Sequence, residues 1–198
     1  MTWIEKVKAF CDTYNIPYDY LAETLYEPKV IPMIRGKAFE FTALLALQNV
    51  LPASEFEVSK ESMNAQLGSH DIDVAVYHKP TQITISVECK LSAKGSYRYS
   101  KQDNHHSLRV KCMRSRTLGE AMIAQQSSKL NIDPALLKVH NDSYIPTDFD
   151  VVFTSIGNVF YVTRDDGTFE WNPSNEEIQF LSRFSEDEAD NLKDNIFD

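Results

Sequence analysis

The sequence predicts an α/β protein in which helices flank a central mixed β-sheet of about five strands. Residues 71–78 and 83–90 alternate apolar with polar or small side chains, the pattern of a half-buried strand. Residues 148–154 are almost continuously apolar, as in a strand buried on both faces, and residues 158–163 are expected to follow as its neighbour. Residues 33–51 have the length and apolar content of a long helix.

The chain is 198 residues long and fits one domain. Its core is expected over residues 33–155, in the order helix, strand, strand, strand, helix, strand. The first strand falls at residues 55–59 and the second helix at residues 117–130. Residues 92–116, between the third strand and that helix, are predicted to be a long loop. The N-terminal helices and the acidic C-terminal helices are predicted to lie outside this core.

The two alternating segments predict a β-hairpin, because only residues 79–82 separate them and one of these is a proline. Pairing His78 with Ile83 sets the register, so that the residue numbers of every later pair add up to 161. One face of the hairpin is then wholly apolar, with these opposed pairs: Ile72 and Cys89, Val74 and Val87, Val76 and Ile85.

The other face of the hairpin carries charge. Asp73 lies directly across from Glu88, and carboxylates in this position have Cβ atoms about 4.5–5.5 Å apart and repel each other. A divalent cation bound between them would turn this repulsion into a pair of ligands, and hard oxygen donors favour Mg²⁺. Lys90 lies on the same face as Glu88, where its ammonium can orient a water or stabilise developing charge. A register slip of two residues would set Asp71 opposite Glu88, so Asp71 is the alternative ligand.

The helix predicted over residues 33–51 is apolar on nearly every side, so we expect a buried central element. Glu40 is the one carboxylate inside this run. Burial of a charged group is unfavourable unless the group is paired or bound to a metal. Two interpretations stay open: Glu40 pairs with Lys37 or Arg35 on the helix surface, or it belongs to the metal site.

The net charge of −9 argues at first against a nucleic-acid partner. Residues 90–129, however, carry nine basic and two acidic side chains, whereas the rest of the chain carries 11 basic and 27 acidic ones. A basic segment of this kind suits a phosphodiester backbone, and tyrosines among the cations can stack on bases. The alternative is a solvated loop that happens to be basic. The predicted DNA contacts are Lys94, Tyr97, Arg98, Tyr99, Lys101, Arg109, Lys111, Arg114 and Arg116.

Asp73 is followed after fourteen residues by Glu88, and Lys90 comes two positions later. This spacing resembles the core motif of the PD-(D/E)XK nuclease superfamily, the fold of type II restriction endonucleases. Residues 35–40 also resemble the first-helix motif of that family, which supplies an acidic residue to the metal cluster. No proline precedes either aspartate, a departure that many members of the family share. The resemblance implies a restriction-endonuclease-like core in a single nuclease domain over residues 1–198.

The resemblance also implies roles for individual residues. Asp73 and Glu88 would bind Mg²⁺, with the backbone carbonyl of Cys89 as a third ligand and Mn²⁺ as the alternative ion. Lys90 would position or deprotonate the attacking water, and Glu40 would bind a second metal directly or through water. No organic cofactor is implied.

We therefore expect a Mg²⁺-dependent endonuclease that hydrolyses phosphodiester bonds in double-stranded DNA, most like a type II restriction enzyme. The family and the symmetry of duplex DNA imply a homodimer. Two alternatives remain: a DNA repair or recombination nuclease such as a junction resolvase, and a catalytically inert DNA-binding or interaction protein on the same fold. The intact set of Asp73, Glu88 and Lys90 favours an active enzyme over the inert protein.

The cysteines and the hydropathy bear on the compartment. Cys11, Cys89 and Cys112 are odd in number, widely spaced and unlike any zinc pattern, so we expect a reduced, cytoplasmic protein. No apolar run approaches the ~20 residues of a membrane span, and the first residues lack the pattern of a signal peptide. No membrane partner is therefore expected.

Overall fold

The computed structural model of the chain describes residues 1–60, 72–113, 118–144 and 148–194. Along the chain these residues form α1 (Trp3–Tyr14), α2 (Tyr18–Leu25), α3 (Val30–Val50), β1 (Phe56–Ser59), β2 (Val74–His78), β3 (Ile83–Leu91), β4 (Tyr97–Ser100), β5 (His105–Leu108), α4 (Glu120–Leu130), α5 (Pro134–Val139), β6 (Val151–Ser155), a 3₁₀ turn (Gly157–Phe160), β7 (Tyr161–Thr163), β8 (Phe169–Trp171), α6 (Asn175–Leu181) and α7 (Glu186–Asp194). Among the described residues, no helix has both the length and the apolar character needed to cross a bilayer.

The central sheet is mixed, which confirms the predicted α/β class. Its strand order is β1-β2-β3-β6, with the first three strands antiparallel and β6 parallel to β3. Within the part of the chain that the structure describes, this sheet has four strands, not about five. The expected strand over residues 158–163 begins as the 3₁₀ turn, and its remainder, β7, pairs with β8 in a separate two-stranded sheet. An apolar run alone does not distinguish a strand from other buried structure, which is why this prediction was wrong.

The predicted hairpin register is confirmed. His78 pairs with Ile83, and Val74 pairs with Val87 at the far end of the ladder. The apolar face of this hairpin packs against α3 in one core, the sheet cluster, which contains Phe39, Ala43, Val74, Val76, Val87 and Cys89. The alternation of apolar and polar residues thus fixes which side chains face the core, because a slip of one residue would turn all of them outward.

Helix α3 is buried on one face only, contrary to the expectation of a helix buried all round. Phe39 and Ala43 face the sheet cluster, whereas Ile34, Phe41 and Leu45 are exposed. These three residues recur at spacings of seven and four, so they lie on one side of the helix, opposite the buried face. A continuous apolar run does not by itself tell how many sides of a helix the protein covers.

The segment predicted as a long loop contains a β-hairpin instead. Tyr97 pairs with Leu108 and Tyr99 with His106, so these four side chains share one face of β4 and β5. That face packs on a second core, the hairpin cluster, defined by Val159, Phe160 and Leu181 together with Tyr97 and Leu108. The tyrosines alternate with other residues as in a strand, but the many charged residues of the segment led to the prediction of a loop.

Candidate active site

Asp73 immediately precedes β2 and Glu88 lies within β3. The ladder ends at the pair of Val74 and Val87, and its register, if continued by one residue, sets Asp73 across from Glu88. The backbone N–H of Cys89 donates a hydrogen bond to Asp73 Oδ2 at 2.9 Å, which holds this carboxylate against the end of β3. Asp71, the alternative ligand, lies outside the described residues.

Glu88 is buried, with 5% of its surface exposed, and its Oε1 pairs with the ammonium of Lys90. A buried carboxylate is strongly disfavoured without such a partner. The Lys90 ammonium also lies 5.4 Å from the centroid of the Tyr144 ring, within the range of a cation–π contact. Lys90 is therefore bordered by a buried carboxylate and an aromatic ring. No sequence pattern pointed to Tyr144.

Cys89 lies in the sheet cluster, as expected for a small apolar side chain. Burial, together with the nearby charges of Asp73 and Glu88, raises the pKa of its thiol to about 12. The charges of Lys60 and Lys90 act in the opposite direction on this pKa. Two carboxylates and two ammonium groups therefore surround one buried thiol, which itself stays neutral and serves packing.

Glu40 is buried on α3, with 5% of its surface exposed. Its Oε1 pairs with Lys37 at 2.7 Å, as one of the two open interpretations foresaw, and its Oε2 pairs with Lys60. Arg35 donates a hydrogen bond to Asn158 Oδ1, and its guanidinium lies 3.8 Å from the centroid of the Phe169 ring. Lys60 is twenty residues away in sequence, so no local pattern indicated this contact.

The donor set fits Mg²⁺ as a pair of carboxylates. No three His, Cys, Asp or Glu side chains within the described ranges come together as a metal-binding group, so Glu40 does not join Asp73 and Glu88 in one ligand cluster. Mg²⁺ is commonly held by one or two carboxylates with several waters, which Asp73 and Glu88 can satisfy. Glu40 lies apart because α3 packs on the apolar face of the hairpin, whereas Asp73 and Glu88 belong to its other face.

Besides Lys94, which pairs with Glu177, four of the predicted DNA contacts are exposed: Arg98, Lys101, Arg109 and Lys111. Arg98 is paired with Ser107, and this pair faces away from the hairpin cluster because strand residues alternate between faces. Lys101 follows directly after β4, in the turn of the hairpin. Two further predicted contacts, Arg114 and Arg116, lie outside the described residues.

The other three predicted contacts touch the protein itself. Lys94 pairs with Glu177 at 2.8 Å. The Tyr97 hydroxyl lies 2.6 Å from His106 Nδ1, and the Tyr97 ring packs on Phe180 with 5.7 Å between centroids. Tyr99 stacks on His106 with 4.6 Å between ring centroids. These contacts hold the hairpin against α6. The two tyrosines share one face of the hairpin, and Arg98 between them lies on the opposite face.

Lys60 is the partner of Glu40 that the sequence did not reveal. It follows β1, and β1 pairs with β2 so that Ser59 is across from Ala75. The next position therefore lies level with Val74, beside Asp73. The strand order would have pointed to Lys60, but a sequence pattern does not supply that order.

Comparison of the chain with models of protein families, with curated protein sequences and with solved structures finds no match.

Proposed function

We propose that the chain is a Mg²⁺-dependent endonuclease that hydrolyses phosphodiester bonds in double-stranded DNA, most like a type II restriction enzyme. The observation that carries this proposal is that Asp73 accepts a hydrogen bond from the Cys89 N–H, next to Glu88, while Lys90 pairs with Glu88 on the same strand. Carboxylates in such positions repel each other, and the single ammonium of Lys90 beside Glu88 does not balance both charges. A bound cation would balance them.

Asp73 and Glu88 would hold the ion, together with the Cys89 carbonyl and water. When bound, Mg²⁺ lowers the pKa of a coordinated water and neutralises charge on the phosphate. The Cys89 N–H fixes the orientation of the Asp73 carboxylate through Oδ2. Burial of Glu88 limits its rotation, so both carboxylates are held ready before any ion arrives.

Lys90 would position the attacking water as an ammonium; to deprotonate this water it would have to be the neutral amine. Its ammonium is held beside Glu88 and near the Tyr144 ring, so it stays within the site. A fixed positive charge next to the reacting phosphate also stabilises the negative charge that grows on the phosphate oxygens. Loss of this lysine should therefore affect the rate of cleavage more than the binding of DNA.

The DNA backbone would be bound by the exposed cations Arg98, Lys101, Arg109 and Lys111. β4 begins six residues after β3 ends, so the hairpin lies close to the proposed metal site along the chain. Contacts between such cations and phosphates release counterions, which makes the affinity depend on salt.

We propose that two copies of the chain form a homodimer through the exposed face of α3. Ile34, Phe41 and Leu45 form an apolar stripe there, and contiguous exposed apolar surface is uncommon unless it binds something. The first two helices add further exposed aromatic side chains: Trp3, Phe10, Tyr14, Tyr18, Tyr20 and Tyr26. Helix α1 contacts α2, and α2 contacts α3, so these helices lie next to the stripe. Aromatic side chains bury about 150–250 Å² each, so several of them together with the stripe would supply the roughly 800 Å² per partner of a stable interface.

The dimer is tested by sedimentation of wild-type protein, Phe41→Glu and Val139→Glu. Val139 is equally apolar and exposed but lies on α5, so it is the matched control. We expect a dimer for the wild type and for Val139→Glu, and a monomer for Phe41→Glu. A monomeric wild type at micromolar concentration contradicts the proposal.

The nuclease activity is tested by incubating wild-type protein and Asp73→Ala with plasmid DNA, with and without Mg²⁺. We expect cleavage by the wild type with Mg²⁺ only, and none by Asp73→Ala. Discrete fragments indicate a restriction enzyme, whereas preference for branched or damaged DNA indicates a repair or recombination nuclease. DNA binding without cleavage of any of these substrates identifies the inert alternative, and equal cleavage by both proteins overturns the proposed site.

A further inference from the structure

We infer that Thr154 is a positioning residue of the proposed active site, whose hydroxyl receives the Lys90 ammonium when Glu88 holds a divalent ion. The hydroxyl lies on the strand next to Lys90, on the same face of the sheet as Glu88. This inference rests on the proposed function, because it concerns where the lysine of that site goes when the ion binds.

Thr154 lies beside Lys90 in the central sheet. β6 runs parallel to β3, and its register pairs Lys90 with Thr154. Side chains at paired positions point to the same face of a sheet, and neighbouring strands are about 4.7–4.9 Å apart. Phe153, one residue earlier, packs against the sheet cluster on the opposite face. Thr154 therefore belongs to the face that carries Glu88 and Lys90, within reach of the long and flexible lysine side chain.

The Thr154 hydroxyl is buried and has no hydrogen-bond partner among the residues that the structure describes. Buried polar atoms are nearly always hydrogen-bonded, and one that is left unsatisfied destabilises the folded state. Valine has nearly the same shape as threonine and lacks the oxygen, so packing alone does not require a hydroxyl at this position. We therefore look for a group that can donate a hydrogen bond to Thr154 Oγ1 in another state of the site.

The Lys90 ammonium is the nearest charged donor along the ladder. It pairs with Glu88 Oε1 in the structure. Once that carboxylate holds an ion, the ammonium would lie a few ångström from a divalent cation, and like charges at that distance repel each other. An acceptor on the neighbouring strand that is not itself a metal ligand relieves this repulsion. Lys90 would therefore donate to Thr154 Oγ1 instead, and the Tyr144 ring, 5.4 Å from the ammonium, would keep it nearby.

Calorimetric titration of the full chain with Mn²⁺ tests the inference through the affinity for the ion. Thr154→Val removes the acceptor and keeps the shape, so the affinity should fall about tenfold, as for the loss of a hydrogen bond to a charged group. Thr154→Ser keeps the hydroxyl and should bind like the wild type. Thr84→Val is the matched control, because Thr84 pairs with Tyr77 at the other end of β3.

Two further measurements distinguish this role from a purely structural one. In a Lys90→Met background, Thr154→Val should leave the Mn²⁺ affinity unchanged, because no ammonium is present to be received. Without Mn²⁺, urea unfolding should show that Thr154→Val is at least as stable as the wild type, because the variant loses an unpartnered buried hydroxyl. If Lys90→Met fails to fold by circular dichroism, Lys90→Gln replaces it with the same expectation.

Each outcome decides the question. The inference is overturned, and the proposed nuclease left intact, if Thr154→Val binds Mn²⁺ like the wild type or if Thr154→Ser does not restore the affinity. An equal loss of affinity in the Lys90→Met background, or a less stable Thr154→Val without Mn²⁺, has the same consequence. A wild type that binds no Mn²⁺ overturns both the inference and the proposed function.

Discussion

Two glutamates of this protein are equally buried, and each pairs with a lysine, yet their surroundings differ. Glu177 is 4% exposed and Glu88 is 5% exposed. Glu177 caps α6, where its Oε2 accepts a hydrogen bond from the Ser174 N–H at 2.6 Å, and it pairs with Lys94. Its contacts therefore complete a local structure. Glu88 pairs with Lys90 and has a second carboxylate, Asp73, across the ladder. Burial alone does not distinguish the two glutamates, whereas the second carboxylate near Glu88 does.

The largest expected effect is on the rate of DNA cleavage, which should distinguish Lys90 from Lys94. Lys90→Met should lower the cleavage rate by about 10²–10⁴-fold, because it removes the group that positions or deprotonates water. Lys94→Met should cleave nearly as fast as the wild type, because its partner Glu177 lies on α6 and is not a proposed metal ligand. Initial rates on plasmid DNA at saturating Mg²⁺ measure both. Equal losses for the two variants would mean that the lysines do not differ in role.

The next effect concerns stability. Glu177→Gln removes a helix cap and a partly buried ion pair, and should lower the free energy of unfolding by about 1–2 kcal/mol without abolishing cleavage. Glu88→Gln relieves the repulsion with Asp73, so it should abolish cleavage while leaving stability unchanged or higher, as is common at catalytic sites. Urea unfolding and plasmid cleavage of both variants give the two readouts. A cleavage-competent Glu88→Gln would contradict the proposed metal site.

A smaller effect is expected on DNA binding, for which the two faces of the β4–β5 hairpin should differ. Arg98 faces away from the hairpin cluster, whereas Tyr97 packs on it. Arg98→Gln should weaken binding and lower the slope of log affinity against log salt by about one. Arg164→Gln is the control, because Arg164 is exposed but pairs with Glu170 outside the basic segment. Fluorescence anisotropy at several salt concentrations measures the slopes, and an unchanged slope for Arg98→Gln removes this residue from the DNA surface.

The smallest effect concerns the thiols of Cys89 and Cys112. Burial raises the pKa of Cys89 to about 12 from an ordinary value of 9.0, and it also raises the pKa of Cys112, which is only half-buried. Because the folded protein favours the neutral thiol, the contribution of Cys89 to stability is complete below pH 9.0 and is lost as the pH rises towards 12. Urea unfolding should therefore show a steeper loss of stability above pH 9.0 for the wild type than for Cys89→Ala.

Alkylation by iodoacetamide provides the control for this prediction. Cys112 should react at about pH 8.5 while Cys89 remains unmodified, which mass spectrometry of peptides can distinguish. Faster modification of Cys89 than of Cys112 would contradict its placement in the core.

The sequence predicted the β2–β3 hairpin and its register because period-2 alternation and a short turn leave one arrangement that buries the apolar face. The same register brought Asp73 opposite Glu88, so the central part of the candidate site could be predicted. The class of the fold followed from the order of helices and strands. These predictions depend on contacts between segments that are close in sequence.

The remaining features depend on contacts between distant segments. Lys60 and Glu40 meet only because β1 lies beside β2 and α3 packs on the sheet. The hairpin β4–β5 was missed because its charged residues resemble those of a loop, although Tyr97 and Tyr99 already alternate. The exposed face of α3 was missed because hydropathy reports how apolar a helix is, not which neighbours cover it.

The position of the bound ion tests the central claim most directly. Crystals grown with Mn²⁺ give an anomalous scattering peak at the metal. We expect this peak about 2.0–2.6 Å from carboxylate oxygens of both Asp73 and Glu88. A peak that touches neither carboxylate, or no peak in crystals of protein that cleaves DNA with Mn²⁺, would contradict the proposed site.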